Sequence, residues 1–336
     1  MKPTDFARAL STYLSLYLPG HRNVSPNTID SYRDTFKLFL GYCQGERHLA
    51  VERLTLCDID DQLIIGFLNW LEEERHNAKS TRNQRLACLH GFFRYLQVQD
   101  PAGLLSYQRI LAIPMKKTPQ PLVNHLSANA MQLILSQPNR TTRQGRRDTT
   151  LLAVLYDSGA RVQELVDLRV RDVRLDPPPV LSLTGKGRKT RQVPLMSPTQ
   201  ALLKAYLKEN HLGSNRTDDV PLFCNRQHQK LTSKGVAYIL DKYAASARLV
   251  SPIVPEGITP HVFRHSKAMH LLQAGVNLIY IRDLLGHVDI STTEIYARAD
   301  TELKRQALEK AYPNMISPDL PEWKDDANLL AWLTGF

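Results

Sequence analysis

Apolar side chains recur three and four positions apart through much of the first hundred residues. In SPNTIDSYRDTFKLFLGYC, Ile29, Tyr32, Phe36, Phe39 and Cys43 form one stripe, with Ser25 placed to cap a helix and Pro26 at its first position. LIIGFLNWLEEE and STRNQRLACLHGFFRYLQ repeat the pattern, the second opening on Ser80. The periodicity predicts a helical N-terminal domain over residues 1–110. A proline-rich basic stretch follows, with Pro114, Pro119 and Pro121 around Lys116 and Lys117, and predicts a linker over 111–125.

Helical spacing restarts at Ser127 and opens a second domain, expected over 126–315. DTTLLAVLYDSGARVQELVDL reads as two helices broken near Ser158 and Gly159. PVLSLTGKGRKTRQVPL alternates instead, so it reads as a β-hairpin turning around Gly185 and Gly187 and ending at Val193 and Leu195. Ser197 and Pro198 start another helix, with Leu202, Leu203, Tyr206 and Leu207 apolar. The fold class expected is mainly α with a small β-sheet. A tail over 316–336 sets Leu329, Leu330, Trp332, Leu333 and Phe336 mostly along one helical face.

Composition changes this picture in one respect. Hydrophobic content of 43% and charged content of 23% are ordinary for a globular chain of 336 residues, but the net charge is +10. Such an excess attracts a polyanion, because fixed Lys and Arg displace counterions from phosphates. Arg82 and Arg85 sit in the first turns of a predicted helix, where they oppose its dipole, so an external phosphate is one reason for them and a solvated basic face the other. Cys43, Cys57, Cys88 and Cys224 show no metal-like spacing and read as small buried hydrophobes in a reducing compartment. No stretch is apolar enough to span a bilayer, and the N-terminus lacks a signal-peptide core, so a cytoplasmic location is expected, with no membrane partner.

The densest chemistry lies in HVFRHSKAMH, residues 261–270. Thr259 and Pro260 start a helix that Gly275 ends, and a second helix runs from near Asn277 to Gly286, burying Leu278, Ile281 and Leu285. A metal pair of His261 and His265 would need a third ligand from His270 or His287, yet Arg264 stands between them and no acid orients them. A helix-turn-helix would need a recognition helix, and NLIYIRDLLG has Arg282 as its one cation. The remaining reading is a site that reacts with phosphate. There Arg264 meets charge developing on the non-bridging oxygens, a histidine moves a proton, and Tyr296 in GHVDISTTEIYAR supplies a protein nucleophile. A tyrosine, with a free pKa of about 10, needs neighbouring cations and proton acceptors to act that way.

GARVQEL, TGKGRKTRQVPL, HVFRH and LLGHVDISTTEIYAR, in that order, resemble the tyrosine recombinase (phage integrase) family, most closely the integrases and transposases of bacterial mobile elements. Phe263 stands where those enzymes usually have leucine. The resemblance implies a SAM-like core-binding domain and an α+β catalytic domain closing on DNA as a C-shaped clamp. It implies that Arg161 and Arg264 hold the scissile phosphate and that Glu164 orients the site. Lys186 protonates the leaving 5′-hydroxyl, His261 assists proton transfer at the tyrosine, His287 hydrogen-bonds the phosphate and Tyr296 is the nucleophile. His265 and His270 are left as packing or supporting residues. Arg188, Lys189 and Arg191 join Arg82, Arg85, Lys116 and Lys117 as candidate contacts to the DNA backbone.

Taken singly, each residue has a plainer reading. Arg161 and Glu164 could be a surface ion pair, Lys186 a turn lysine, His287 a helix cap and Tyr296 a core residue. Order and spacing together favour the chemistry. The implied reaction forms a 3′-phosphotyrosine bond, needs neither metal nor other cofactor, and joins strands on a tetramer bound to an inverted-repeat core site. Accessory proteins or sister recombinases are further partners, the tail over 316–336 is a candidate contact between protomers, and the setting is the bacterial nucleoid. A Xer-like resolvase of chromosome or plasmid dimers is the alternative within the family. A non-catalytic DNA-binding regulator is the alternative outside it.

Overall fold

The computed structural model describes residues 2–118, 124–185, 187, 189–213, 218–287 and 291–299. The chain divides into two compact units, Met1–Pro121 and Leu122–Phe336. Lys186, Arg188, part of the linker and the tail over 316–336 lie outside the described residues. No described helix is long and apolar enough to cross a membrane.

The first unit is helical: α1 (Asp5–Thr12), α2 (Pro26–Gly45), α3 (Asp61–Glu73), α4 (Lys79–Gln99) and α5 (Leu104–Leu111), with a π-helical stretch over Tyr13–His21 that the apolar pattern does not reveal. Ser25 caps α2 by accepting from the Thr28 N–H. The predicted stripe faces the core, with Phe36, Phe39 and Cys43 buried and Ile29 and Tyr32 partly so. Phe36 meets Phe92 edge-on at 5.0 Å, and Phe39 meets Phe67 at 5.4 Å. α4 begins one residue earlier than expected, so Ser80 lies inside its first turn.

Arg82 of α4 is buried and Arg85 half-buried, both bonded to acceptors within the protein, which corrects the expectation that they reach for phosphate. Arg82 is 5% exposed and donates to the Pro114 carbonyl at 3.2 Å and to Asn83 Oδ1 at 3.1 Å. Arg85 donates to the Ser31 carbonyl and to Thr35 Oγ1. Internal acceptors thus answer the positive charge that opposes the helix dipole. Lys116 pairs with Glu72, while Lys117 is exposed. Of the cysteines, Cys43 and Cys88 are buried as expected, Cys224 is half-buried and Cys57 is exposed.

The second unit opens with α6 (Ala128–Ser136), capped by Ser127 as expected, then α7 (Arg143–Ser158) and α8 (Val162–Asp167). Gly159, at φ +56°, makes the break between α7 and α8. β2 (Val180–Thr184) and β3 (Thr190–Pro194) form the expected hairpin, and a two-residue β1 (Val173–Arg174) adds an antiparallel edge. In the register Leu181 faces Val193 and Leu183 faces Arg191, so these four side chains share one face of the sheet. α9 (Ser197–Glu209), α10 (Ser233–Val250), α11 (Pro260–Gln273), α12 (Leu278–Leu285) and α13 (Ser291–Ala299) complete the described elements.

α11 is the organising helix. Thr259 caps it, and Phe263, Ser266, Ala268 and Met269 are buried along it. Its outer turns hold the chain where it leaves the linker. The Leu126 N–H donates to Ser266 Oγ at 2.8 Å, and His270 Nε2 donates to the Leu126 carbonyl at 2.8 Å. His270 Nδ1 then accepts from the Tyr156 hydroxyl at 2.9 Å, which ties α11 to α7.

Candidate active site

Five pieces of backbone bring the site together: the α7–α8 break, β3, the buried face of α11, the end of α12 and α13. Arg161 stands immediately before α8, where Glu164 accepts from its backbone N–H at 2.9 Å and from its Nη1 at 2.8 Å. The Arg161 side chain is 36% exposed, so its remaining donors are open to a ligand. Glu164 is 4% exposed. Burial raises its pKa, but hydrogen bonds from Arg191, from the Arg161 backbone and from the Arg161 side chain outweigh that and hold it at about 2.

Arg191 faces this carboxylate from β3. Its Nη2 donates to Glu164 Oε2 at 2.7 Å and its Nη1 to Oε1 at 3.1 Å, while Nε donates to the Leu284 carbonyl at 2.7 Å. The expected DNA-backbone contact is therefore corrected: Arg191 lies on the inward face of its strand and is directed into the protein. Its neighbour Lys189 is exposed. Two glycines leave room for the cluster. A Cβ on Gly185 would come within 2.9 Å of Glu164 Oε1, and one on Gly286 within 2.9 Å of Arg191 Nη1.

Arg264 is 3% exposed and donates to the Gly159 carbonyl at 2.7 Å and the Leu285 carbonyl at 2.6 Å. Both acceptors are neutral, so these contacts satisfy the guanidinium's geometry without cancelling its charge. Burial and the neighbouring Arg161 lower its pKa to about 10, which leaves it a cation at neutral pH. A charge withdrawn from water and facing neutral acceptors is a strong local attraction for an anion.

Tyr296, 1% exposed, packs with Ala268, Met269, Ile281 and Leu285. Burial raises its pKa, and Arg264 and Arg161 oppose that rise. Its hydroxyl lies 2.8 Å from His265 Nδ1. His287 stacks on the tyrosine ring with centroids 6.3 Å apart, and its Nδ1 lies 2.9 Å from Thr293 Oγ1. Burial, then Arg264, Arg161, His265 and Arg191, lower its pKa to about 4, so it is neutral at pH 7.

The structure thus brings together Arg161, Glu164, Arg264, His265, His287 and Tyr296 from the sequence reading, and adds Arg191 to them. His261 is exposed, its ring 6.3 Å from that of His265. The sequence reading gave His265 a supporting place and His261 the proton traffic; the direct contact to the tyrosine hydroxyl belongs to His265. Two-residue alternation through Arg191, Val193 and Leu195 was the available signal for an inward Arg191. Among the described residues no three His, Cys, Asp or Glu side chains are grouped to hold a metal ion.

Two family models match the chain, the phage integrase family over residues 124–302 and the phage integrase N-terminal SAM-like domain over residues 11–100. A putative integrase/recombinase y4rC of Sinorhizobium fredii is 37% identical over 336 residues, covering 99% of each chain. Tyrosine recombinase XerC of Pelobacter propionicus is 31% identical across 91% of this chain and 96% of its own. Among solved structures, the XerH site-specific recombinase bound to difH in a pre-cleavage complex matches with a TM-score of 0.66 at 25% identity, over 87% of this chain and 81% of that one. A site built around a buried tyrosine, two arginines and two histidines, within a chain matched along most of its length, leads to one conclusion: the chain belongs to the phage integrase family, the tyrosine recombinases, enzymes that cut and rejoin DNA at specific sites.

Proposed function

We propose that the protein is the integrase or transposase of a mobile element, recombining double-stranded DNA through a 3′-phosphotyrosine intermediate. The observation that carries the reading is the convergence of Arg264, His265 and His287 on Tyr296, with Arg161 anchored beside them by Glu164. In this reading Tyr296 Oη attacks the scissile phosphorus and the 5′ oxygen leaves with a proton from Lys186. Arg161 and Arg264 neutralise the non-bridging oxygens, and His287, neutral at pH 7, donates a hydrogen bond to one of them. The 5′-hydroxyl of a partner duplex then attacks the phosphotyrosine and releases Tyr296. Phosphodiester energy is kept in that bond, so strand exchange needs no ATP. Two duplexes present four strands to cut, so the working assembly is a tetramer on DNA. His261, exposed beside His265, takes the place that the resemblance gives it, assisting proton transfer at Tyr296.

The full-length match to a putative integrase/recombinase supports the mobile-element role, and the match to a XerC recombinase supports the second reading, a dimer resolvase. One experiment addresses both. The protein is incubated in EDTA with total DNA of its source, SDS-resistant adducts are captured, and the attached DNA is sequenced. Junctions at the two ends of a mobile segment support the first role, and a single chromosomal site supports the second. Absence of any adduct, or an adduct that persists in Tyr296→Phe, overturns the nucleophile assignment. A DNA-binding regulator would give no adduct at all.

A further inference from the structure

We propose that the second unit carries a binding pocket for a small organic phosphate monoester, at the end of α7 remote from the candidate active site. The pocket is independent of the reaction at Tyr296, and the cleavage chemistry makes no use of it.

The cavity measures about 290 Å³, near the lower end of the range for small-molecule sites, which starts at about 300 Å³. Three segments build it. Arg143 and Arg147 come from the first turns of α7, Tyr206 and Asn210 from the end of α9, and Asn225, Arg226 and His228 from the loop before α10. α7 has 16 residues and so spans about 24 Å. Its far end is the Gly159 break, whose carbonyl holds Arg264. Pocket and active site therefore sit at opposite ends of one helix.

Charge decides the class of ligand. Arg143, Arg146 and Arg147 oppose the dipole of α7, as Arg82 does that of α4. Two of the three have a carboxylate of their own. Glu209 gives both oxygens to Arg146, and Asp148 Oδ1 accepts from Arg147 at 2.7 Å. Arg143 and Arg226 meet neutral amides instead. Arg143 Nη2 donates to Asn210 Oδ1 at 2.9 Å, and Arg226 Nη2 to Gln144 Oε1 at 2.8 Å. Glu209 attracts Arg143 as well, but its hydrogen bonds go to Arg146. Four guanidiniums thus face two carboxylates at this end of α7, and the excess of two matches the charge of a phosphate monoester dianion.

The placement of these groups suits such a ligand. Among the described residues, the amide contacts of Arg143 and Arg226 each engage one of a guanidinium's five donors. Phosphate oxygens can then be met without first breaking an ion pair. The loop is fixed in position before any ligand arrives. Arg147 Nη1 donates to the Cys224 carbonyl at 2.9 Å, and Asn225 Oδ1 accepts from the Gln227 and Gln229 N–H groups at 2.9 Å. Tyr206, 6% exposed with its hydroxyl bonded to the Leu222 carbonyl, and half-buried Cys224 add apolar lining. A bare anion has no use for that lining, whereas the carbon body of an organic phosphate does.

The test is isothermal titration of the full-length protein at constant ionic strength and about pH 7.5, where a monoester is mostly a dianion. The probes are inorganic phosphate, ribose 5-phosphate and adenosine 5′-monophosphate. At least one organic monoester is expected to bind with a Kd below about 1 mM and more tightly than inorganic phosphate. Arg143→Ala and Arg226→Ala should each weaken that binding about 10-fold or more, while Lys189→Ala, which removes an exposed cation elsewhere in the unit, should not change it. A DNA duplex should not displace the monoester.

Failure of both organic monoesters to bind, or binding no tighter than that of inorganic phosphate, would overturn the proposal. So would equal weakening by Lys189→Ala, which would mark diffuse attraction to a basic surface. Displacement by duplex at fixed ionic strength would make the occupant a DNA phosphate and overturn it too. If Arg143→Ala loses its melting transition, the variant at the exposed loop residue Arg226 decides.

Discussion

Arg191 and Glu164 meet through two parallel hydrogen bonds of 2.7 and 3.1 Å, with the arginine side chain 13% and the carboxylate side chain 3% exposed. The same carboxylate holds Arg161, and the same guanidinium holds the Leu284 carbonyl two residues before Gly286. β3, α8 and the end of α12 are therefore fixed to one another through a single ion pair. Removing Arg191 leaves the buried Glu164 carboxylate with Arg161 as its one remaining bonded cation among the described residues and frees the Leu284 carbonyl. Arg191→Ala should accordingly lower stability by about 3–5 kcal/mol, measured by urea unfolding. Because Arg191 is directed inward, the salt dependence of DNA binding should be that of the wild type in a charge-removing Arg191→Gln variant that stays folded. A phosphate contact would instead change the slope by about 1.

Glu164 also makes a pH prediction. Its folded pKa of about 2 lies below the ordinary value of 4.5 for its side chain. A carboxylate depressed by folding contributes stability that is complete above the unfolded pKa and is lost as pH falls through the folded one. The shift corresponds to about 3 kcal/mol, lost between about pH 4.5 and 2. Comparing the acid unfolding of wild type and Glu164→Gln tests it. The wild type should lose more stability across that window, and equal losses would contradict the geometry.

His287 extends the sensitivity to milder acid. Its folded pKa of about 4 lies below the 6.5 of a free imidazole, so the unfolded chain takes up a proton that the folded one refuses. Stability is unaffected above about pH 6.5 and declines as pH falls toward 4. His287→Gln should flatten that decline, as read from melting temperature at intervals of half a pH unit.

How legible these features were depends on the range of the interactions that make them. Helix starts at Ser25, Ser127 and Thr259 rest on contacts three residues away, and the sequence displays both partners. Order and spacing of the four motifs likewise led from HVFRH to Tyr296. Side-chain direction was harder. Arg82 and Arg191 read as basic surface, because composition does not disclose that Pro114 and Glu164 wait 32 and 27 residues away. His265 was set aside for the same reason, since its tyrosine partner is 31 residues downstream. The exposure of Cys57 likewise escaped a rule based on apolar neighbours.

The inward Arg82 gives a prediction in the first unit. Its charge is buried against Glu72 and the Pro114 carbonyl, so Arg82→Ala should destabilise that unit while leaving the salt dependence of DNA binding unchanged. Lys117 and Lys189, both exposed, are the better candidates for backbone contact. Replacing either with alanine should weaken binding similarly across sequences and reduce the salt slope by about 1. Fluorescence anisotropy from low to high salt separates the two classes.

Gly286 supplies the most local test of the Arg191 anchor. The residue ends α12 at φ +65°, a conformation costing an L side chain about 1–2 kcal/mol, and its missing Cβ leaves the space where Arg191 Nη1 lies. Gly286→Ala therefore meets both a backbone and a packing penalty, whereas Gly275→Ala, also at positive φ but with open space around it, meets only the first. The Gly286 variant should lose more stability than the Gly275 variant. It should also slow adduct formation, because the displaced end of α12 carries both the Leu285 carbonyl that holds Arg264 and the backbone of His287. The Gly275 variant should cleave at the wild-type rate. Equal loss of cleavage in the two would mean that crowding at Arg191 plays no part.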